Sequence, residues 1–226
     1  MIDEGLPTIA ILGGTGKEGK GLAYRWAKAG YRVLIGSRQT EKAQAAVAEL
    51  LALLPHGADL TGMTNPEAAR QAQILVITVP YAAHTATLES IREQAQGKIL
   101  VDVTVPLVPP KVTRVQMPPA GSAAQEARQI LGEGVEVVDA FQNISYEHLL
   151  HDHPLECDVL VVGTSKAARS EVIKLVQAAG MIGWDAGPIE NAVVVEGMTS
   201  VLININKNYE VGSSGIRITG ISRIPD

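Results

Sequence analysis

Residues Gly14-Thr15-Gly16-Lys17-Glu18-Gly19 follow a short apolar run, Ile9–Leu12, and open a helical pattern. Glycines at this G-x-G-x-x-G spacing, between a strand and a helix, form a cradle for a dinucleotide pyrophosphate. Gly14 is expected to make the tight turn and Gly16 to let the backbone approach the phosphates. Gly19 is expected to let helix and strand pack closely. The unpaired N–H groups at the helix start, with the helix dipole, favour an anion there. Thr15 adds a hydroxyl, and Lys17 and Glu18 fall within the cradle.

The overlapping spacing Gly13-x-x-Gly16-x-x-Gly19 also fits short-chain dehydrogenases and related NADP-sensing regulators, so glycine count does not separate them. Tyr24 and Lys28 have the Tyr-x-x-x-Lys spacing of the former. They stand on the helix that starts at the phosphates, and read as surface or packing residues. The adenosine ribose is more telling. An NAD enzyme of this fold places Asp or Glu at the end of the second strand to bond the 2′-hydroxyl. Here that place reads Gly36-Ser37-Arg38. A carboxylate repels a 2′-phosphate, whereas an arginine pairs with it bidentately and a serine adds a donor. Lys42, one turn on, adds a second cation. The cradle therefore selects NADP(H).

Thr78-Val79-Pro80-Tyr81 and Asp102-Val103-Thr104-Val105-Pro106 end two further apolar runs. Ligands of an open α/β sheet lie beyond the carboxyl ends of its strands, so both segments are expected beside the nicotinamide. Asp102 is either a polar site residue or a strand-end residue. His148, His151 and His153 cluster with Glu147 and Asp152, but their spacing matches no metal signature, and an exposed connection is the expectation. His56 reads as a loop residue, His84 as a helix start and Cys157 as a buried hydrophobe. No Ser–His–Asp order, H-E-x-x-H or acid–base pair stands out, and no catalytic residue is assigned. Hydride exchange between two bound rings needs chiefly that they be held face to face. An NADPH-dependent reductase and a non-catalytic NADP(H) sensor both remain open on these residues alone.

These groups need a frame to hold them. With 226 residues, 46% of them apolar and 19% charged, the chain supports a packed core. Its one cysteine rules out an internal disulfide. A net charge of −5 without a basic run argues against nucleic-acid binding. No signal peptide is visible, and no apolar run is long enough to span a bilayer, so a cytoplasmic protein free of membrane is expected. Apolar runs at Ile9–Leu12, Arg32–Ile35, Ile74–Val79, Ile99–Val105, Val135–Ala140 and Asp158–Val162 alternate with helical patterns at Glu18–Ala29, Glu41–Leu54, Thr85–Gln94, Ala123–Leu131 and Lys166–Ala179. A brief helix is expected with Asn65 as its cap and Pro66 at its first position. A last helix is expected from about Ile189 to Asn206. This rhythm means βαβ units: an α/β, doubly wound parallel sheet of the Rossmann type. The expected division is a dinucleotide-binding domain, residues 1–144, and a small C-terminal α/β domain, residues 145–226. The proline-rich stretch Val108–Gly121 reads as a loop near a site or entry channel. The apolar final helix is compatible with a homodimer.

The stretch "AILGGTGKEGKGLAYRWAKAGYRVLIGSRQTEKA" resembles the start of the NADPH-dependent coenzyme F420 reductases, the F420H2:NADP+ oxidoreductases. The likeness continues through "LTGMTN", "ILVITVPY", "GSAAQEARQIL", "VVDAFQNIS", "DAGPIENAVVVEGMTSVLININ" and "GSSGIRI", from about Thr8 to Ile218. The resemblance implies hydride transfer between NADP(H) and the deazaflavin coenzyme F420. It implies a pyrophosphate at Gly14 to Gly19 beside Thr15, and a 2′-phosphate on Ser37, Arg38 and Lys42. It implies a nicotinamide by Thr78, Val79 and Pro80. The deazaflavin is implied in a cleft lined by Gln142, Asn143 and Ile144 and by the Gly212–Gly215 loop with Ser213 and Ser214. Family members often carry histidine where Gln142 stands. The same architecture also serves membrane metalloreductases, as a cytosolic NADPH domain working with a flavin.

Overall fold

The computed structural model describes residues 5–221. The outer ends of the two expected domains, residues 1–4 and 222–226, lie outside them. Eight strands form one sheet in the order β3-β2-β1-β4-β5-β6-β7-β8. They are β1 (Ile9–Leu12), β2 (Val33–Ser37), β3 (Leu60–Thr64), β4 (Ile74–Ile77), β5 (Ile99–Asp102), β6 (Glu136–Asp139), β7 (Asp158–Gly163) and β8 (Ile182–Pro188). All neighbours run parallel except β6 and β7, whose short antiparallel pairing joins Val138 to Gly163 and Asp139 to Val162. The strands of the C-terminal segment thus extend the same sheet. Every residue of β1, β2 and β4 is buried, as expected of parallel strands covered on both faces.

Among the described residues seven helices supply the cover: α1 (Lys17–Lys28), α2 (Thr40–Leu51), α3 (Asn65–Gln71), α4 (His84–Ile91), α5 (Ala123–Leu131), α6 (Lys166–Ala178) and α7 (Ala192–Tyr209). The side-chain alternation of β1 sorts them. Ile9 and Ile11 face a core shared with α1, α2 and α6. Ala10 and Leu12 face a second core with α3, α4, α5 and α7. Trp26 of α1 fixes the first layer: its Nε1–H donates to Leu175 O of α6 at 2.9 Å, and its ring meets Phe141 edge-on at 5.8 Å.

Local chemistry explains where the helices begin. Asn65 is not the cap of α3, as expected from the sequence; Thr64 is. Thr64 Oγ1 accepts the Glu67 N–H while the Glu67 carboxylate accepts the Thr64 N–H, a reciprocal capping box. Asn65 is released for other work. Ser122 and Ser165 cap α5 and α6 in the simpler way. The starts of α1, behind Gly16, and of α2, behind Gln39, receive no hydrogen bond from the N-cap side chain, as is also true of α4 and α7. The Tyr81–Ala83 segment makes a separate 3-10 turn before α4.

The glycine turn also differs in detail from expectation. The left-handed conformation falls on Gly13, at φ 74°, and not on Gly14. Gly19 does what close contact requires. A Cβ there would stand 2.7 Å from both Gly14 Cα and Thr78 Oγ1. Gly19→Ala is therefore expected to lower stability by about 1–3 kcal/mol, because backbone must move to admit the methyl group. Urea denaturation checks this, and a variant as stable as the parent contradicts it.

Candidate functional site

Two cavities open over the carboxyl ends of the parallel strands, on either side of the point where the chain switches from β1–β2 to β1–β4. The smaller, about 530 Å³, is lined by Gly13, Thr15, Ser37, Arg38, Gln39, Lys42 and Asn65, among others. The larger, about 720 Å³, takes in Lys17, Glu18, Gln142, Asn143, Ile144, Leu202 and Ser214. Gly16, Thr78, Val79 and Pro80 belong to both walls. One groove therefore runs from the β2 end, past the glycine turn, to the β5–β6 side.

The smaller cavity is cationic by composition. Arg38 and Lys42 lie on it, and no Asp or Glu does. Ser37 is buried at the end of β2, and its Oγ accepts the Gln39 N–H at 3.3 Å. Asn65 Oδ1 accepts the Gly13 N–H at 3.2 Å, which ties the glycine turn to α3. The uncapped start of α1 leaves its first N–H groups available beside Gly16. This donor set fits a phosphorylated dinucleotide: two cations at the ribose end and bare helix N–H groups at the pyrophosphate.

The larger cavity mixes an apolar wall, including Val103, Val105, Leu107, Leu202 and Ile203, with amides and hydroxyls. The proline-rich stretch contributes Pro109 and Val112, in keeping with a loop near a site. Asn143 Nδ2–H donates to Val195 O at 3.0 Å, and Thr199 Oγ1–H donates to Gln142 O at 3.0 Å, so α7 fixes the loop after β6. Thr104 Oγ1, Gln142 Oε1 and Asn143 Oδ1 are buried without a hydrogen-bond partner among the described residues, and all three residues line this cavity. An apolar slot with spare polar capacity on one side fits a flat heterocycle with a polar edge. Ser214 reaches the wall, its N–H held by Asn206 Oδ1 at 2.9 Å. Ser213 is exposed on the same loop and is not among the residues of that wall.

Behind the wall lies a buried polar network whose members are scattered in sequence. His84 has no exposed surface. Its Nε2 stands 2.7 Å from Asp102 Oδ2 and its Nδ1 3.3 Å from Glu126 Oε1. Both ring nitrogens face carboxyl oxygens, an arrangement that an imidazolium, with two N–H donors, satisfies on both sides. Burial works against that charge, but Asp102 and Glu126 outweigh it and lift His84 to about 9. Asp102 is neither a bare strand end nor a lining residue. Its Oδ1 accepts the Thr104 N–H at 3.0 Å and its carbonyl accepts from Gln142 Nε2 at 2.7 Å, so it braces two residues of the wall. Gln142 Nε2–H also donates to Asp139 Oδ1. Tyr81 O–H donates to Glu126 at 2.9 Å, and burial together with that bond pushes the phenol up to about 12. Glu196 accepts the Ala123 and Ala124 N–H groups at 2.8 and 3.0 Å. Burial nevertheless raises Glu196 to about 8, and it raises Asp139, which faces both Glu196 and Asp102, well above the carboxylate range.

Tyr24 and Lys28 are packing residues, as expected: Tyr24 O–H and the Lys28 ammonium both engage Asp152, at 2.9 and 2.6 Å. The histidine connection is held from α1. Arg25 donates to the carbonyls of His148, Leu149 and His151, and the rings of His148 and His153 lie 3.2 Å apart, nitrogen to nitrogen. Cys157 is half-buried just ahead of β7.

Comparison with known proteins agrees with this geometry. Residues 8–106 match the family model described as "NADP oxidoreductase coenzyme F420-dependent". The chain is 38% identical over 221 residues to the F420-dependent NADP reductase of Methanocaldococcus jannaschii, covering 94% of this chain and 98% of that protein. It is 40% identical to the F420-dependent NADP reductase of Methanothermobacter thermautotrophicus, covering 98% of each. Its fold matches a crystal structure from Arthrobacter sp. FB24, provisionally named an F420-dependent NADP reductase, with TM-score 0.82 and 24% identity over 95% of this chain and all of that one. Identity of this order along nearly the full length is a family relationship: the chain belongs to the coenzyme F420-dependent NADP oxidoreductases.

Proposed function

We propose that this chain exchanges a hydride between NADP(H) and coenzyme F420, the two held against each other where the cavities share the Thr78–Pro80 wall. The observation that carries this reading is the joined groove: a carboxylate-free cationic cavity on one side, an apolar slot with spare polar groups on the other, and Gly16, Thr78, Val79 and Pro80 common to both. Gly14, Thr15, Gly16 and Gly19, with the backbone of Lys17 and Glu18, hold the pyrophosphate against the start of α1. Ser37, Arg38 and Lys42 hold the 2′-phosphate. Gln142, Asn143, Ile144 and Ser214, with Ser213 on the adjoining loop, hold the deazaflavin. When bound, the deazaflavin supplies its C5 position as donor or acceptor of the hydride. The protein contributes position, exclusion of water by the apolar wall, and no covalent nucleophile.

Two units are proposed, residues 1–144 and 145–226. The single antiparallel step, between β6 and β7, supports a division at that point. We place the enzyme in the cytoplasm, without nucleic-acid or membrane partners; among the described residues no helix is long and apolar enough to cross a membrane. A homodimer is supported by Val194, Val201 and Ile205, which stand exposed on one face of α7.

The decisive experiment mixes the purified protein with NADPH and oxidised F420 and follows loss of the deazaflavin absorbance. Turnover is expected. Activity only with a flavin or another acceptor contradicts the assignment of F420, and tight NADPH binding with no acceptor turned over points to a sensor.

A further inference from the structure

Hydride exchange between NADPH and F420 consumes one proton in the direction of F420 reduction and releases one in reverse. This inference rests on the function proposed above. We infer that Glu18 is the residue that holds this proton, as a neutral carboxyl on the wall of the larger cavity, and hands it to the ring nitrogen of the deazaflavin as the hydride arrives.

The geometry leaves few alternatives. Among the described residues, the titratable side chains on that wall are Lys17, Glu18, Tyr81 and Tyr146. Lys17 has its ammonium 5.1 Å from the Tyr146 ring centre, and Tyr81 is tied to Glu126. Glu18 is thus the one carboxyl on the wall, half-buried beside Gly16 in a lining it shares with Gln142 and Asn143. No hydrogen bond or ion pair among the described residues engages it, and its cationic neighbour on α1, Lys20, is paired with Glu49 at 2.7 Å. The α1 dipole favours an acid in the first turn. A pyrophosphate seated there answers that dipole, and its charge repels a second anion. Enclosure alone already pushes Glu18 up to about 8, so it carries its proton at neutral pH and sheds it readily, as an acid–base group must. In F420 reduction the nicotinamide C4–H bond breaks and the deazaflavin C5–H bond forms. The Glu18 O–H bond breaks and a ring N–H bond forms. NADPH is oxidised, F420 is reduced, and the Glu18 carboxylate recovers a proton from water.

Glu18→Gln keeps the shape and removes the exchangeable proton. The wild-type rate of F420 reduction is expected to fall as pH rises through about 8, and the reverse rate to rise over the same range. In Glu18→Gln both rates drop by about tenfold and both limbs flatten. A readout independent of turnover is calorimetry of NADPH binding near pH 8 in two buffers of different ionisation enthalpy. Wild type should take up a fraction of a proton as nucleotide charge arrives, and Glu18→Gln should bind without that uptake. Matching rates, pH limbs and proton uptake in the two proteins overturn the inference. If Glu18→Gln does not bind NADPH, the wild-type limbs decide, and a flat profile from pH 7 to 9.5 rejects Glu18. Failure of wild type to turn over F420 at any pH instead removes the function on which this rests.

Discussion

His84→Ala will lose about 3–5 kcal/mol of unfolding free energy at neutral pH, the cost of breaking a buried ion pair from one side. The imidazolium stands between Asp102 and Glu126, and the Asp102 side chain is fully buried. Without the ring, Asp102 keeps only the Thr104 N–H, and a buried negative charge is left uncompensated. The wild-type protein should also lose stability in alkali, and the direction follows from linkage. The ring titrates near 6.5 in the unfolded chain and near 9 in the folded one. The folded state therefore binds the extra proton between these values. The stabilisation is complete below pH 6.5 and disappears as pH rises through 9, roughly 3 kcal/mol in all. Glu196, raised from 4.5 to about 8, adds to the loss in the same direction over that range, and the raised Asp139 acts in the same sense. Chemical denaturation at pH 6.5 and 9.5 checks both parts. His84→Ala should be less stable at the lower pH and should show a smaller drop between the two. Equal drops in both proteins would mean that His84 is not the charged centre of the network.

Arg38→Ala is expected to weaken NADPH binding roughly tenfold to more than a hundredfold, as loss of a charge-assisted pair worth about 1.5–3 kcal/mol requires. NADH binding should change little, because the ribose hydroxyl offers no charge to pair. Arg38 has no ion-pair partner among the described residues, so its removal leaves no orphaned acid behind, and the fold should be untouched. Fluorescence titration with both nucleotides separates the effects. Equal losses for NADPH and NADH would put the 2′-phosphate elsewhere.

The alternating runs from Ile9 to Asp139 announced a parallel sheet because buried central strands need continuous apolar residues, and the glycine turn announced its ligand because only glycine fits there. The cationic end of the smaller cavity was equally legible: Ser37, Arg38 and Lys42 lie within one turn of a strand end, and local spacing places them together. The loop after β6 was reached through resemblance, not spacing. What stayed hidden depends on contacts across the fold. His84 and Asp102 are 18 residues apart, and His84 and Glu126 are 42 apart. No periodicity brings them together; only the β4–β5 pairing and the seating of α5 do. Asn65 was misplaced as a cap because Asn and Thr are both good caps. The Thr64–Glu67 spacing, three residues, was the signal that separates them.

The helix starts divide into two sorts. Those of α3, α5 and α6 are closed by Thr64, Ser122 and Ser165, with Glu196 adding its own carboxylate at α5. Those of α1, α2, α4 and α7 receive no hydrogen bond from the side chain at the N-cap, and α1 begins at Gly16 and α2 at Gln39, both on the groove lining. In the proposed binding mode a dinucleotide lying along the groove brings oxyanions to both: it finishes two helices that their own caps leave unfinished, so substrate and scaffold complete one another there.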